Sequence, residues 1–328
     1  MKSGSRYPID FRFSFHTARK RDYSEMEPLR FRPDGSFRIV QFTDVHLKDL
    51  GDTDQQSFEL MKHIVGIDSP DLIVFSGDVV HTHPTVDPLP IWNEFVHRTD
   101  VLGSPWTFVF GNHDYENSSY ETADQILKSG AMNYYESGPT DIHGWGNYAL
   151  SILSPDSERV GAAIFSLDSG IDGDGPLSGW GYVHEDQVDW FRNRATNLVG
   201  PNVTGLVFVH NPLPEYKTMW ETTTCRGSRY ESIALQGKDT GLFDAIRDVG
   251  VSAVFCGHDH INDYEGTWKG VDLCYGRASG ISGYGREGFL RGARVIDLRD
   301  GKRGYTSFIR LENGNVADLP IHEPEIAV

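Results

Sequence analysis

Five short runs of Val, Ile, Leu and Phe each stop at polar side chains able to bind a metal, and this repeated ending constrains the fold more than any other feature of the 328-residue chain. Ile39-Val40-Gln41-Phe42 leads into Thr43-Asp44-Val45-His46, Leu72-Ile73-Val74-Phe75 into Ser76-Gly77-Asp78, and Thr107-Phe108-Val109-Phe110 into Gly111-Asn112-His113-Asp114. Leu206-Val207-Phe208-Val209 then meets His210, and Ala253-Val254-Phe255-Cys256 meets Gly257-His258-Asp259-His260. Continuous apolar runs of this length, bounded by glycine and rich in β-branched and aromatic residues, read as strands buried on both faces. The segments Gln55–Val65, Pro90–Val101, Ser119–Ser129, Glu185–Val199 and Gly241–Val249 between them read as helices, several opened by Asp or Ser and closed by Gly. Strands alternating with helices make an α/β fold, in which ligands bind in the crevice beyond the carboxyl ends of the strands.

Gly146–Leu153, Gly161–Asp168, Val271–Arg277, Ala293–Leu298 and Tyr305–Leu311 lack such helices and are expected to form a second, more antiparallel sheet. Gly170–Gly181 and Gly276–Gly288 are glycine-rich loops, and Thr218–Gly237 is a long segment suited to a specificity lid. No repeat or linker divides the chain, so residues 1–36 are expected to form an arm packed on one domain spanning 37–328.

The strand ends supply imidazole, carboxylate and amide donors without thiolate, a set suited to Zn, Mn or Fe. Buried together without a cation, such groups would lose hydration and gain nothing in return. Asp44-x-His46, Gly77-Asp78, Gly111-Asn112-His113-Asp114, His210 and Gly257-His258-x-His260, in this order, resemble the five motif blocks of the calcineurin-like metallophosphoesterase superfamily. The likeness implies a four-layer α/β/β/α sandwich of two mixed β-sheets around a dinuclear metal centre. It further implies that Asp44, His46, Asp78 and His260 hold one ion and that Asn112, His210 and His258 hold the second, with Asp78 bridging. A metal-bridging hydroxide would attack phosphorus in line, His113 would protonate the leaving oxygen, and Asp114 would fix the orientation of the His113 ring.

Leu29-Arg30-Phe31-Arg32 before the first strand, His210-Asn211-Pro212-Leu213-Pro214 and His258-Asp259-His260-Ile261-Asn262-Asp263 resemble the non-purple relatives of purple acid phosphatases found in plants and yeast. His46 and His81 stand where purple enzymes carry glycine and the chromophoric tyrosine, so no purple colour is expected. The expected activity is phosphomonoester hydrolysis on a small phosphorylated molecule or a phosphoprotein. Gly77-Asp78-Val79-Val80-His81 is also similar to the corresponding block of double-strand-break repair nucleases, which keeps a phosphodiesterase acting on small diesters, such as cyclic nucleotides or phospholipid head groups, as the alternative. His81 itself reads equally as a rim residue pairing with a nearby carboxylate.

A formal charge of −17 repels nucleic-acid backbones and anionic lipid, so neither is an expected partner. The apolar runs are too short to span a bilayer. The N-terminus, interrupted by Arg6, Pro8, Asp10 and Arg12, offers no apolar signal region. Cys225, Cys256 and Cys274, an odd number without CxxC spacing, read as reduced thiols, and the chain is expected in the cytoplasm. Arg226, Arg229, Arg286 and Arg291, in or beside glycine-rich loops, are candidates to grip a substrate phosphate. A scaffold that keeps the fold and only binds partners is the rival from another class, but every ligand position is filled here.

Overall fold

The computed structural model describes residues 26–171 and 179–324. Most of the expected N-terminal arm and the centre of the Gly170–Gly181 loop therefore lie outside the described residues. In chain order the elements are β1 (Ser36–Phe42), α1 (Asp52–Asp68), β2 (Leu72–Ser76), α2 (Leu89–Val101), β3 (Trp106–Val109), α3 (Tyr120–Leu127), β4 (Tyr148–Leu153), β5 (Val160–Leu167), α4 (Glu185–Leu198) and β6 (Thr204–Val209). They continue with α5 (Glu215–Thr222), β7 (Cys225–Arg226), α6 (Leu242–Val249), β8 (Ala253–Cys256), β9 (Glu265–Trp268), β10 (Val271–Tyr275), β11 (Gly292–Arg299), β12 (Lys302–Leu311) and β13 (Ile321–His322).

Two mixed sheets result, one ordered β12-β11-β1-β2-β3 and the other β13-β7-β9-β10-β8-β6-β5-β4. Parallel pairs β1/β2 and β2/β3 carry the first half of the chain, and β5/β6, β6/β8 and β8/β10 carry the second. The period-two geometry of a strand sets the layers. Leu206, Phe208 and Phe255 join the core between the sheets, whereas Val207, Val209 and Val254 join the core under α4, α5 and α6. On the far side α1 and α2 bury Phe58, Met61, Ile64, Ile91, Trp92 and Phe95 against the first sheet, completing the α/β/β/α sandwich.

The expected second sheet is corrected in its membership. β11 and β12 close the first sheet, with β11 antiparallel to β1 from Ser36↔Arg299 to Gln41↔Arg294. The strands β6 and β8, which deliver His210 and the His258–His260 block, belong to the other sheet. Non-local pairs of this kind leave no mark in the periodicity of either strand; here Arg38 on β1 meets Asp297 on β11 at 2.7 Å. Residues before β1 add a short pairing of their own, in which the Phe31 amide donates to the Leu153 carbonyl at 2.9 Å and Leu29 and Phe31 are buried.

Candidate metal centre

The carboxyl ends of β1, β2 and β3 meet those of β6 and β8 where the two sheets face each other, and the loops leaving them are locked together by backbone bonds. The Asp44 amide donates to the Gly77 carbonyl at 3.0 Å, that of His46 to Asp78 at 2.9 Å, and that of Leu47 to Val79 at 2.8 Å, so the pairing of β1 with β2 continues past the strands. Asp44, His46, Asp78 and His258 all adopt left-handed backbone angles, with φ of 53°, 50°, 54° and 75°. Four L-residues in this sparsely populated region store strain at one place, as functional sites do. Gly77 is required where it stands, since its φ is 97° and a Cβ there would enter the His210 ring. A Cβ on Gly257 would likewise strike Thr43 and Asp44.

Donor atoms of Asp44, His46 and His260 lie within 4.8 Å of one another, as do those of Asp78, His210 and His258, and all six side chains are buried. Asp78 Oδ2 stands 3.0 Å from His210 Nε2 and 3.7 Å from His46 Nε2, so its carboxylate reaches both groups. Asn112 is buried between Gly111, whose amide donates to Asp114, and His113, whose amide donates to Asp78 Oδ1 at 2.9 Å.

The second nitrogen of each of three rings is spoken for elsewhere. His210 Nδ1 bonds the Ser76 carbonyl at 2.8 Å, His260 Nδ1 the Tyr284 carbonyl at 3.0 Å, and His46 Nδ1 the His81 ring at 2.9 Å. Their Nε2 atoms are thereby turned to the centre, the arrangement by which outer partners orient metal-binding imidazoles. Nε2 of His46 and of His258, both buried, has no hydrogen-bond partner among the described residues. Burial drives the pKa of His258 down to about 3 and that of His260 to about 4, so both rings are neutral and offer a lone pair at pH 7. His210 is the exception. Burial opposes its charge, but the Asp78 and Asp44 carboxylates outweigh it and push the pKa up to about 10, and a bound cation would take the place of that proton. Neutral, orphaned imidazole nitrogens facing two carboxylates fit divalent cations.

Beside these groups lies a cavity of about 470 Å³ bounded by His46, His113, His258 and His260 and walled by Trp180, Tyr284 and Glu231. Tyr284 stacks on His260 at 3.9 Å and donates its hydroxyl to Glu231 at 2.8 Å, while Trp180 stands edge-on to His258 at 4.6 Å. The expected 218–237 lid is divided, with α5 and β7 taking its first part and Glu231–Ala234 lining the cavity. None of Arg226, Arg229, Arg286 and Arg291 is among the residues lining that cavity. Arg291 holds the carbonyls of Gly283 and Tyr284 at 2.8 and 2.7 Å, fixing the loop instead of a substrate.

His113 is 24% exposed at the cavity edge, with Nε2 4.0 Å from Asp78 Oδ2. The expectation that Asp114 fixes its ring is corrected. Both Asp114 oxygens are occupied by backbone amides, those of Asp78, Val79, Val80 and Gly111, at 2.8–2.9 Å. Asp114 therefore organises the β2 and β3 loops. The carboxylate beside the His113 ring is Glu116, 2.8 Å from Nδ1, and His81 stacks on the same ring at 3.8 Å. The spacing of Glu116, three residues after His113, was the available signal, and it was masked by the adjacent acid at 114.

The family model for calcineurin-like phosphoesterases matches residues 37–262. "Probable inactive purple acid phosphatase 28" of Arabidopsis thaliana is 30% identical over 312 residues, covering 84% of this chain and 78% of that protein. "Phosphatase DCR2" of Saccharomyces cerevisiae is 27% identical over 278 residues, which are 74% of this chain and 48% of the yeast protein. Among solved structures, a dimetal phosphatase from Danio rerio superimposes with a TM-score of 0.52 at 14% identity, covering 83% of this chain and 98% of that one. GAP50, described as the anchor in the inner membrane complex of Plasmodium, reaches 0.56 at 15% identity over 89% and 90% of the two chains. With the ordered motifs converging on one centre and the family match spanning most of the chain, this protein belongs to the calcineurin-like phosphoesterase family.

Proposed function

We propose that the protein is a phosphomonoesterase that uses two cations, Mn, Fe or Zn, to hydrolyse a small phosphorylated molecule or a phosphoprotein. The family supports metal-dependent phosphoester hydrolysis. The observation that carries the dinuclear reading is the pair of three-residue donor groups joined by the Asp78 carboxylate, with orphaned Nε2 atoms on both sides. Asp44, His46, Asp78 and His260 would hold one ion, and Asn112, His210 and His258, with Asp78 bridging, the other. Bound there, the pair supplies Lewis-acid chemistry, activating water and neutralising charge on the phosphoryl oxygens.

The protein's own side chains supply the rest. His113 presents Nε2 at the edge of the centre, where it donates a proton to the leaving oxygen. Trp180 and Tyr284 wall the cavity beside the donor groups. Lys48, which donates to the Ser282 carbonyl at 2.6 Å, is the one Lys or Arg among the cavity's described lining residues, so an extended anionic backbone meets no basic groove here. A compact monoester held by the metals needs none. The word "inactive" in the Arabidopsis name belongs to that protein; here each ligand position of the motif is filled.

The test is a pair of initial rates on 4-nitrophenyl phosphate and its bis-ester with Mn supplied, and Asp78→Ala as control. A monoester rate that dominates and vanishes in the control is the expected result. A dominant diester rate transfers the reading to small phosphodiesters. No rate on either, with no metal retained, leaves the fold as a scaffold.

A further inference from the structure

We propose that Tyr284, braced by Glu231, is a positioning residue for His260 and so governs retention of the ion that Asp44, His46 and His260 would hold, while the ion at His210 and His258 depends on other supports; this rests on the dinuclear reading above. The Tyr284 carbonyl accepts from His260 Nδ1–H at 3.0 Å, and His260 Nε2 stands 3.5 Å from Asp44 Oδ1 in the donor group. A carbonyl only accepts, so the proton is fixed on Nδ1 and the lone pair is left on Nε2, the form in which an imidazole binds a metal. The Tyr284 ring stacks on the same imidazole, with centroids 3.9 Å apart and planes 7° from parallel. Its hydroxyl accepts from the His260 amide at 3.3 Å and donates to Glu231 Oε2 at 2.8 Å, and Glu231 Oε1 accepts from the Ile261 amide at 2.8 Å. Ring nitrogen, ring face and backbone of His260 are thus held together by one tyrosine and its carboxylate brace.

The backbone before Tyr284 lies against the same donor group. A Cβ on Gly283 would stand 2.8 Å from Cε1 and 2.9 Å from Nδ1 of His260, and 3.4 Å from Cδ2 of His46, so a glycine is needed for the chain to pass across both rings. Arg291 ties this turn down through the Gly283 and Tyr284 carbonyls, at 2.8 and 2.7 Å. The rings of the other group meet different partners: His210 Nδ1 is held by the Ser76 carbonyl at 2.8 Å, and His258 meets Trp180 edge-on at 4.6 Å. A change at 283 or 284 therefore acts on one ion of the pair. Tyr284 is 54% exposed, so its truncation opens no core.

The experiment follows Mn binding by equilibrium dialysis, with ions per chain counted by elemental analysis, in wild type, Tyr284→Ala, Tyr284→Phe, Gly283→Ala, His260→Ala and the double variant Tyr284→Ala/His260→Ala. Wild type should hold two ions. Tyr284→Ala should keep one at wild-type affinity and bind the other about 10- to 100-fold more weakly. Tyr284→Phe retains the stacked ring and the carbonyl and loses only the hydroxyl, so it should recover part of that loss. Gly283→Ala should weaken the same ion, and in the His260→Ala background the Tyr284→Ala change should add nothing. Two ions at wild-type affinity in Tyr284→Ala, or equal weakening of both, would overturn the proposal. Turnover is not the readout, so a protein that holds two ions and hydrolyses neither nitrophenyl ester refutes the phosphatase reading alone. A wild type that binds no Mn refutes the dinuclear reading, and the ¹⁵N spectrum of the His260 ring then decides this one: a single Nδ1–H tautomer in wild type that becomes mixed in Tyr284→Ala supports the seating of the ring, and an unchanged tautomer overturns it.

Discussion

Replacing Asp114 by Asn tests whether this carboxylate organises backbone or serves the neighbouring histidine. Its side chain is 1% exposed, with Oδ2 accepting from the amides of Asp78 and Gly111 and Oδ1 from those of Val79 and Val80, all at 2.8–2.9 Å. Asparagine can keep one oxygen on one pair of amides but must turn its own NH₂ toward the other pair. Two donors are then left facing a donor. A bond to a charged acceptor contributes about 1.5–3 kcal/mol and a stranded buried donor costs about 1–3 kcal/mol, so a net loss of roughly 4 kcal/mol is expected. For 328 residues the unfolding entropy makes this a fall of roughly 6 °C in Tm. The assay is calorimetric unfolding of the Mn-loaded protein at pH 8, where the carboxylate is ionised; burial and then the Asp78 charge push the Asp114 pKa up to about 7, a cost that asparagine relieves and that cations beside Asp78 would reduce, so about 4 kcal/mol is the upper limit of the loss. The same fall is expected in a His113→Ala background, since the amides belong to the β2 and β3 loops. A Tm equal to wild type, or a loss that disappears without His113, would refute the reasoning.

His113→Ala should lower kcat about 10²- to 10⁴-fold while leaving bound Mn per chain unchanged by elemental analysis after gel filtration; loss of metal would remove the proton-donor role. Glu215, with Oε2 buried and without a hydrogen bond among the described residues, has its pKa pushed up to about 7 by burial and by Asp239 and Asp244, against a bond from its own backbone amide. The folded chain therefore holds this proton more tightly than the unfolded one, so the associated stability is complete below the ordinary glutamate pKa and is lost as pH rises toward 7. Glu215→Gln should match wild type near pH 4 and exceed it at pH 8 by on the order of 2 kcal/mol in urea unfolding; no gain at pH 8 would refute the burial argument.

Much of the site is legible in the sequence because each ligand block follows its strand directly. A strand that is buried on both faces must be apolar throughout, so the first polar residues after Phe42, Phe75, Phe110, Val209 and Cys256 stand out, and the ends of neighbouring parallel strands are necessarily close. Glycine at 77 and 257 marks where the loop after one strand packs against a side chain from the loop after another. Sheet membership is a different matter. Nothing in Ala293–Leu298 or Leu206–Val209 says which sheet each joins, since both are apolar strands of ordinary length and the choice depends on partners far away in the chain.

Outer contacts were also hidden, for reasons seen in particular residues. Asp114 and Glu116 are both acids within reach of His113 by spacing alone, and only the turn geometry sends one to the backbone amides and the other to the ring. Arg291 had the composition of a phosphate clamp until its guanidinium was placed on the carbonyls of the Tyr284 loop. Residue type and strand ending are local properties, written wherever the chain passes from buried to polar. Side-chain partnership is a property of space, set by two sheets brought face to face, and this is why the candidate ligands could be proposed from the sequence while the residues that orient them could not.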